Sequence, residues 1–261
     1  MSTRFSAVAK KWQEDLAHGG YEKHLKNKID FYRIKFFSRA WKTILKVTKL
    51  KPDASVFEFG CGGGNQLVPL ALNGYKCIGI DCSEDVLIRC KNLISDAEKF
   101  TKNSLNIQLI YGDFLSYSSS EKFDMVFNFG VIEHFLDDKE REKIIQKMFI
   151  LCKPGGYVVS VVPNGAHPMR ERMKNEGLGG YHIPEIDYDA KLMINEMTKA
   201  GVKWVEVIPN NLFGYLLLDP GLPFLQKIIY YSLYYVAQFF PRIKSKVTYK
   251  HAGTLICVAK C

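Results

Sequence analysis

The pattern of apolar and polar positions changes character at Pro52-Asp53. Ahead of that break, Leu25, Ile29, Tyr32, Phe36, Ala40, Ile44 and Val47 recur at three- and four-residue steps. Such spacing predicts one apolar stripe along one or two amphipathic helices, with the lysines on the opposite side. Beyond the break, short apolar runs alternate with helical periods. Strands are expected over 55–59, 75–80, 107–111, 123–129, 157–162, 203–208 and 253–259. Helices are expected over about 65–73, 83–100, 137–152 and 187–200. Ser83 has the position of an N-cap, and Asp137 with Glu140 stands in capping-box spacing. Lys153-Pro154-Gly155-Gly156 reads as a turn into the fifth strand.

Strands alternating with helices imply a mostly parallel sheet covered on both faces, an α/β fold. The natural division is a basic N-terminal helical cap over 1–51 and a larger domain over 52–261. Two stretches interrupt the alternation: 164–184, rich in Gly, His and basic residues, and 212–250, rich in aromatics. Both lie past the fourth strand and are read as insertions that shape a ligand site. The run Ile228 to Phe240 makes roughly 20 Å of helix, short of the roughly 30 Å hydrocarbon core of a bilayer. A spanning helix is therefore not expected there. An interfacial helix, a lid over the site, a dimer contact and a buried packing helix all remain open.

Charge sharpens this division. The net charge of +9 falls wholly within residues 1–51, which hold 13 Lys and Arg against 4 Asp and Glu. Such a segment suits anionic lipid, nucleic acid, an acidic ligand or simply a solvated helix face. Seven cysteines are scattered without a C-x-x-C pair, so neither a metal site nor a disulfide framework is expected. No charged-then-apolar leader opens the chain, and a reduced cytoplasmic setting, with membrane association as an open addition, is the expectation.

The densest chemistry lies at successive strand ends. Val56-Phe57-Glu58-Phe59 runs into Gly60-Cys61-Gly62-Gly63-Gly64-Asn65, a strand leading into a turn whose glycines admit close approach of a ligand to the backbone. The helix that follows would offer free N–H groups to a carboxylate or phosphate. Asp81 ends the second strand about twenty positions on, where a carboxylate can accept from a ribose diol. Asp113-Phe114 follows the third strand, placed to meet a heterocyclic ring. The carboxyl ends of parallel strands share one crevice, so these three sites reinforce one another. A dinucleotide fingerprint starting at Gly60 would need glycine at 65, which is Asn65; starting at Gly62 it would need glycine at 67, which is Leu67.

Glu58-x-Gly60-x-Gly62-x-Gly64 resembles motif I of the class I S-adenosylmethionine-dependent methyltransferases. Gly79-Ile80-Asp81 is similar to their ribose motif, and Gly112-Asp113-Phe114 to their adenine motif. Phe123 to His134 resembles the fourth-strand motif, and Leu151 to Tyr157 the turn before the fifth strand. The Glu133-His134 ending resembles the ubiquinone-type, small-molecule branch. The resemblance implies a Rossmann-like, doubly wound sheet of seven strands with the last antiparallel. N-terminal helices would cover the cofactor crevice, with Tyr21, Tyr32 and Arg33 the residues of interest, and an aromatic helical insertion would precede the last strand. It also implies S-adenosylmethionine as cofactor. Glu58, Gly60, Cys61, Gly62 and Gly64 would take its methionine end, Asp81 and Cys82 the ribose, Asp113 and Phe114 the adenine, and Asn128 with Phe129 the methionine amino group.

Methyl transfer from a sulfonium is an in-line displacement that needs positioning first, and a base only where the nucleophile must lose a proton. His134 and His182 are the candidates beside the acceptor, with His167 and Glu133 as further titratable groups. The aromatic insertion and basic N-terminus together suggest a small hydrophobic or lipid-linked acceptor and a peripheral membrane contact. Nucleic acid ranks below this, because the fourth-strand motif lacks the Asn/Asp-Pro-Pro-aromatic pattern used on flipped bases. A cofactor- or partner-binding protein without turnover is the reading outside enzymology. Acceptor identity and oligomeric state are not expressed in these patterns.

Overall fold

The computed structural model describes residues 7–16, 22–176, 183–202, 204–212, 223–239 and 243–261. In chain order the elements are α1 (Ala7–Leu16), α2 (Lys28–Lys35), α3 (Arg39–Thr48), β1 (Ser55–Phe59), α4 (Leu67–Leu72), β2 (Lys76–Asp81), α5 (Glu84–Thr101), β3 (Ile107–Tyr111), β4 (Phe123–Phe129), α6 (Asp138–Leu151), β5 (Cys152–Pro163), α7 (Arg170–Asn175), α8 (Ala190–Lys199), β6 (Val205–Leu212), α9 (Phe224–Phe239), α10 (Lys246–His251) and β7 (Ala252–Lys260). Seven strands form one sheet in the order β3-β2-β1-β4-β5-β7-β6. β1 pairs in parallel with β2 and β4, β2 in parallel with β3, and β7 antiparallel with β6. This is the doubly wound, Rossmann-like sheet with its antiparallel last strand.

The chain divides into two compact units. The first comprises Met1–Phe129, Lys143–Val159 and Lys260–Cys261. Its central strands carry near-continuous buried apolar runs, as strands covered on both faces must. Phe57, Phe114, Phe123 and Phe127 are fully buried, and Phe59 stacks on Phe114 with ring centroids 4.2 Å apart. Ser83 caps α5 by accepting from the Val86 N–H, as its sequence position suggested.

The N-terminal stripe is buried at Leu25 and Ile44 but out of phase with the packing over α2. Ile29, Tyr32 and Phe36 are exposed, while Phe31 is buried and stacks on Phe100 of α5 at 5.2 Å. Two caps cause the slip. Asn27 opens α2 by accepting from the N–H groups of Ile29 and Asp30, and Ser38 restarts the chain as α3 by accepting from that of Trp41. A periodicity read straight through 36–38 therefore carries the wrong phase into α2. Trp41, outside that stripe, is buried against Phe127 and Phe129.

β5 also departs from expectation: the 153–156 turn is incorporated into the strand, which starts at Cys152. Gly155 donates its N–H to the Cys261 carbonyl, and Cys261 donates to the Gly156 carbonyl. This pairing brings Cys152 and Cys261 together, and they form a disulfide across a sequence separation of 109 residues. No disulfide framework was expected, and this one pair departs from that expectation, since proximity created by a sheet is invisible in spacing along the chain. The other five cysteines are free thiols.

The second unit comprises Gly130–Glu142 and Ser160–Ala259. Within it, α8 is capped by Asp189, which accepts from the Leu192 N–H. α8, α9 and α10 all pack against β6. Among the described residues, the two stretches read as insertions hold α7 in the first and α9 and α10 in the second.

Candidate active site

The glycine turn is built by backbone geometry. Gly60, Gly62 and Gly64 have φ of 67°, 51° and 80°, in the left-handed region where a side chain is strained. Gly60 and Cys61 both donate N–H groups to the Ile80 carbonyl, at 2.9 and 3.1 Å, which ties the turn to the end of β2. A Cβ at Gly64 would lie 2.6 Å from the Cys90 sulfur, and one at Gly79 2.4 Å from Leu67. Turn, β2 and α5 are thus packed at backbone distance. α4 is only six residues long and begins at Leu67, later than expected, so turn N–H groups rather than a long helix dipole face the site.

Asp81 links the parts. Its Oδ2 accepts from the Gly62 N–H at 2.8 Å, and its Oδ1 from that of Ser83 at 3.0 Å. Burial raises its pKa, and the N–H bonds from Ser83, Gly62 and Cys82 act against that rise. Glu58 is buried, and its carboxyl is held well above the ordinary range, first by burial and then by the charge of Asp81. Glu58 Oε2 and Asn65 Oδ1, on either side of the glycine turn, are buried acceptors without a hydrogen-bond partner. Unmet buried acceptors are uncommon and call for donors. S-adenosylmethionine brings an ammonium and a ribose diol, both donors, to a set of carboxylates, so the residues present fit it.

Other expected contacts are placed as follows. Cys61 is buried, its thiol pushed up by burial first. Asp113 is buried and accepts from the Leu115 N–H at 2.9 Å. Phe114 lies in the aromatic core between Phe57 and Phe59, with Lys147 Nζ 5.7 Å from its centroid. Asn128 is buried beside the Met148 sulfur. Phe129 is stacked on Trp41 at 5.3 Å. Cys82 is reached by α1: Gln13 Nε2 donates to its carbonyl at 2.6 Å, and its thiol lies 3.6 Å from the Ala9 carbonyl.

Gln13, Trp41 and Gln66 were missed by the sequence reading. Trp41 Nε1 donates to Gln66 Oε1 at 2.8 Å, joining α3 to the residue before α4. The signal available was Ser38, three residues ahead of Trp41, as a helix start. A cavity of about 490 Å³ opens here. Leu25, Ile34, Phe36, Trp41 and Pro69 supply its apolar wall, and Lys23, His24, Asp30, Arg33, Ser38, Asn65 and Gln66 contribute polar groups. Arg33 therefore faces the cavity, Tyr32 is exposed, and Tyr21 lies outside the described residues.

The histidine candidates belong to the second unit. His134 Nδ1 lies 3.2 Å from the Pro184 carbonyl, so a δ1-protonated ring donates to it. His167 is buried, its pKa lowered to about 4 by burial and then by His251; its Nδ1 accepts from the Met169 N–H. It is neutral throughout the physiological range. His182 lies outside the described residues.

Glu133, His134 and Glu185 each bring one donor atom within 4.8 Å of the others. Arg170 supplies positive charge there, its guanidinium 2.7 Å from Glu185 Oε1. Burial lifts the Glu133 pKa to about 8. A folded-state pKa above the unfolded one means that stability falls as pH rises from the ordinary carboxylate range to about 8, then levels. Glu133→Gln is expected to flatten this slope and to be more stable than the parent at pH 8 by roughly 3 kcal/mol. Denaturant titrations of both proteins at pH 5 and pH 8 measure it, and parallel pH profiles would contradict it.

With this geometry in place, comparison with known proteins gives the class. Residues 56–156 match the family model described as a methyltransferase domain. A carboxy-S-adenosyl-L-methionine synthase of Shewanella sp. (strain MR-7) is 29% identical over 114 residues, covering 42% of this chain and 44% of that one. A ubiquinone biosynthesis O-methyltransferase of Pelagibacter ubique (strain HTCC1062) is 29% identical over 160 residues, 57% of this chain and 60% of that one. The chain thus spans between 44% and 60% of the length of these two relatives. Among solved structures, Haemonchus contortus phosphoethanolamine N-methyltransferase 2 in complex with S-adenosyl-L-methionine has the same fold. It matches with a TM-score of 0.57 at 15% identity, covering 90% of this chain and 57% of that one. Over residues 56–156 the chain is thus similar to methyltransferases, and it shares the fold of S-adenosylmethionine-dependent ones.

Proposed function

We propose that this protein transfers the methyl group of S-adenosylmethionine to a small acceptor with an apolar body. The cofactor supplies the electrophilic methyl on its sulfonium. Glu58 and the glycine turn would hold its methionine end, Asp81 its ribose and Asp113 its adenine amino group. The chain's own task is then to seat the acceptor atom in line with the methyl group and keep water out. The observation that carries the acceptor class is the cavity bounded by Leu25, Ile34, Phe36, Trp41 and Pro69, which adjoins Asn65 and Gln66 at the end of the glycine turn. Lys23 and Arg33 outnumber Asp30 in its lining, which suits an acceptor that also bears an anionic group.

The test is formation of S-adenosylhomocysteine from a panel of phenols, thiols and amines graded by the length of an apolar tail. The efficiency kcat/KM is expected to rise with tail length. Phe36 lines the cavity yet is exposed, so Phe36→Ala should fold. It is expected to raise the acceptor KM about tenfold while leaving cofactor affinity within about twofold. Equal efficiency for tail-less acceptors would overturn the acceptor class. Cofactor binding without turnover of any acceptor would favour a non-catalytic binding protein.

A further inference from the structure

α9 presents two unlike sides. Lys227, Tyr230, Tyr234 and Ala237, spaced three and four residues apart, lie on its more buried side. The opposite side carries Phe224, Leu225, Ile228, Ile229, Leu233 and Val236, exposed by 44% to 80%. Ser232 stands among them, and its hydroxyl donates to the Ile228 carbonyl at 2.9 Å, so even this polar group is turned into the helix. A helix normally buries its apolar stripe and shows its polar one. Here the stripe left open is the apolar one, and an exposed patch of this kind marks a binding surface.

Charge selects the occupant. Between residues 220 and 261 there are six Lys and Arg and no Asp or Glu, and of these Lys244 is paired with an acid, Glu206 of β6. α10, which packs on the same edge strand β6, adds exposed Val247 next to Lys246 and Lys250, and exposed Ile243 lies just ahead of it. Two copies of this chain meeting through such a surface would bring like charges together. An anionic bilayer supplies the opposite charge together with an apolar layer beneath it. Tyr231 and Tyr235, stacked 6.4 Å apart and both exposed, have the amphipathic rings that suit headgroup depth. No helix among the described residues is long and apolar enough to cross a membrane.

We infer that α9 lies in the interfacial layer of an anionic membrane, its Phe224-Leu225-Ile228-Ile229 side immersed and the lysines of α10 against the headgroups. This attachment is separate from the acceptor and from the cofactor site.

The experiment is co-sedimentation of the full chain with vesicles of phosphatidylcholine containing phosphatidylserine, and with phosphatidylcholine alone, at low and high salt. The expected result is binding to the anionic vesicles that falls at least about tenfold on neutral vesicles or in high salt. Leu225→Glu with Ile229→Glu is expected to lower partitioning about a hundredfold, and Lys246→Glu with Lys250→Glu about tenfold. Cofactor binding, measured by calorimetry on every variant, should stay unchanged; it verifies folding and separates failure of docking from failure of the methyltransferase reading. Absence of sedimentation on anionic vesicles, or undiminished sedimentation of Leu225→Glu with Ile229→Glu, would overturn the inference. So would a concentration-dependent dimer abolished by that same double substitution, which would assign the face to a second copy.

Discussion

Replacing Asp81 with alanine is expected to weaken binding of both S-adenosylmethionine and S-adenosylhomocysteine by about a hundredfold or more. The carboxylate holds the two sides of the crevice at once: the Gly62 N–H in the turn and the Ser83 N–H at the start of α5. Removing it leaves the buried Ser83 N–H unmet at a cost of about 1–3 kcal/mol and the part-buried Gly62 N–H without its partner, besides the proposed acceptors for the ribose hydroxyls. Asp81→Asn keeps the shape but turns an N–H₂ toward one of those donors, so it should lose nearly as much. Calorimetric titration gives the affinities, and thermal melts in the absence of cofactor show how much of the loss is unfolding. An Asp81→Ala protein with parental affinity would show that the ribose is held elsewhere.

The largest loss of stability is expected from Arg170→Met. Arg170 is buried, as is its partner Glu185, and its Nε also donates to Asp187 at 2.9 Å. Deleting the guanidinium strands a carboxylate beside Glu133, whose own burial already raises its pKa. Breaking a buried ion pair from one side destabilises by about 3–5 kcal/mol. Urea unfolding measures the loss, and Arg170→Met combined with Glu185→Gln should recover part of it because the stranded charge is gone. A double variant no better than the single one would place the loss in packing.

The reading of this fold from sequence succeeded where burial on both faces leaves local marks. β1 and β4 run over the expected residues because parallel central strands appear as mostly apolar runs bounded by turns, and β3, a half-exposed edge strand, is bounded by turns in the same way. The glycine turn and Asp81 were legible because positive φ demands glycine and strand ends converge. The reading failed where the decisive partner is far away in sequence. Nothing in the spacing around Phe31 or Ile29 says which of them meets Phe100. Cys152 and Cys261 are brought together by the sheet alone. α7 and α10, six residues each, are too short for periodicity to register. Glu58, Asp81 and Asp113, the proposed cofactor contacts, stood out as acids at or near strand ends, whereas Trp41 and Gln66 look like ordinary helix residues until they face each other.

The left-handed geometry of Gly60, Gly62 and Gly64 also limits how this gene can drift. A single base change in a glycine codon gives Ala, Val, Ser, Cys, Arg, Trp, Asp or Glu. Each places a side chain where φ is 51° to 80°, at about 1–2 kcal/mol apiece before any clash. Asparagine, which tolerates that region best among the alternatives, lies two base changes away. Aspartate, the nearest tolerable neighbour within one step, would set a further negative charge beside Glu58 and Asp81, both already burdened by burial. Variation in this protein is therefore steered away from the turn and toward exposed positions outside both the cavity and the apolar side of α9.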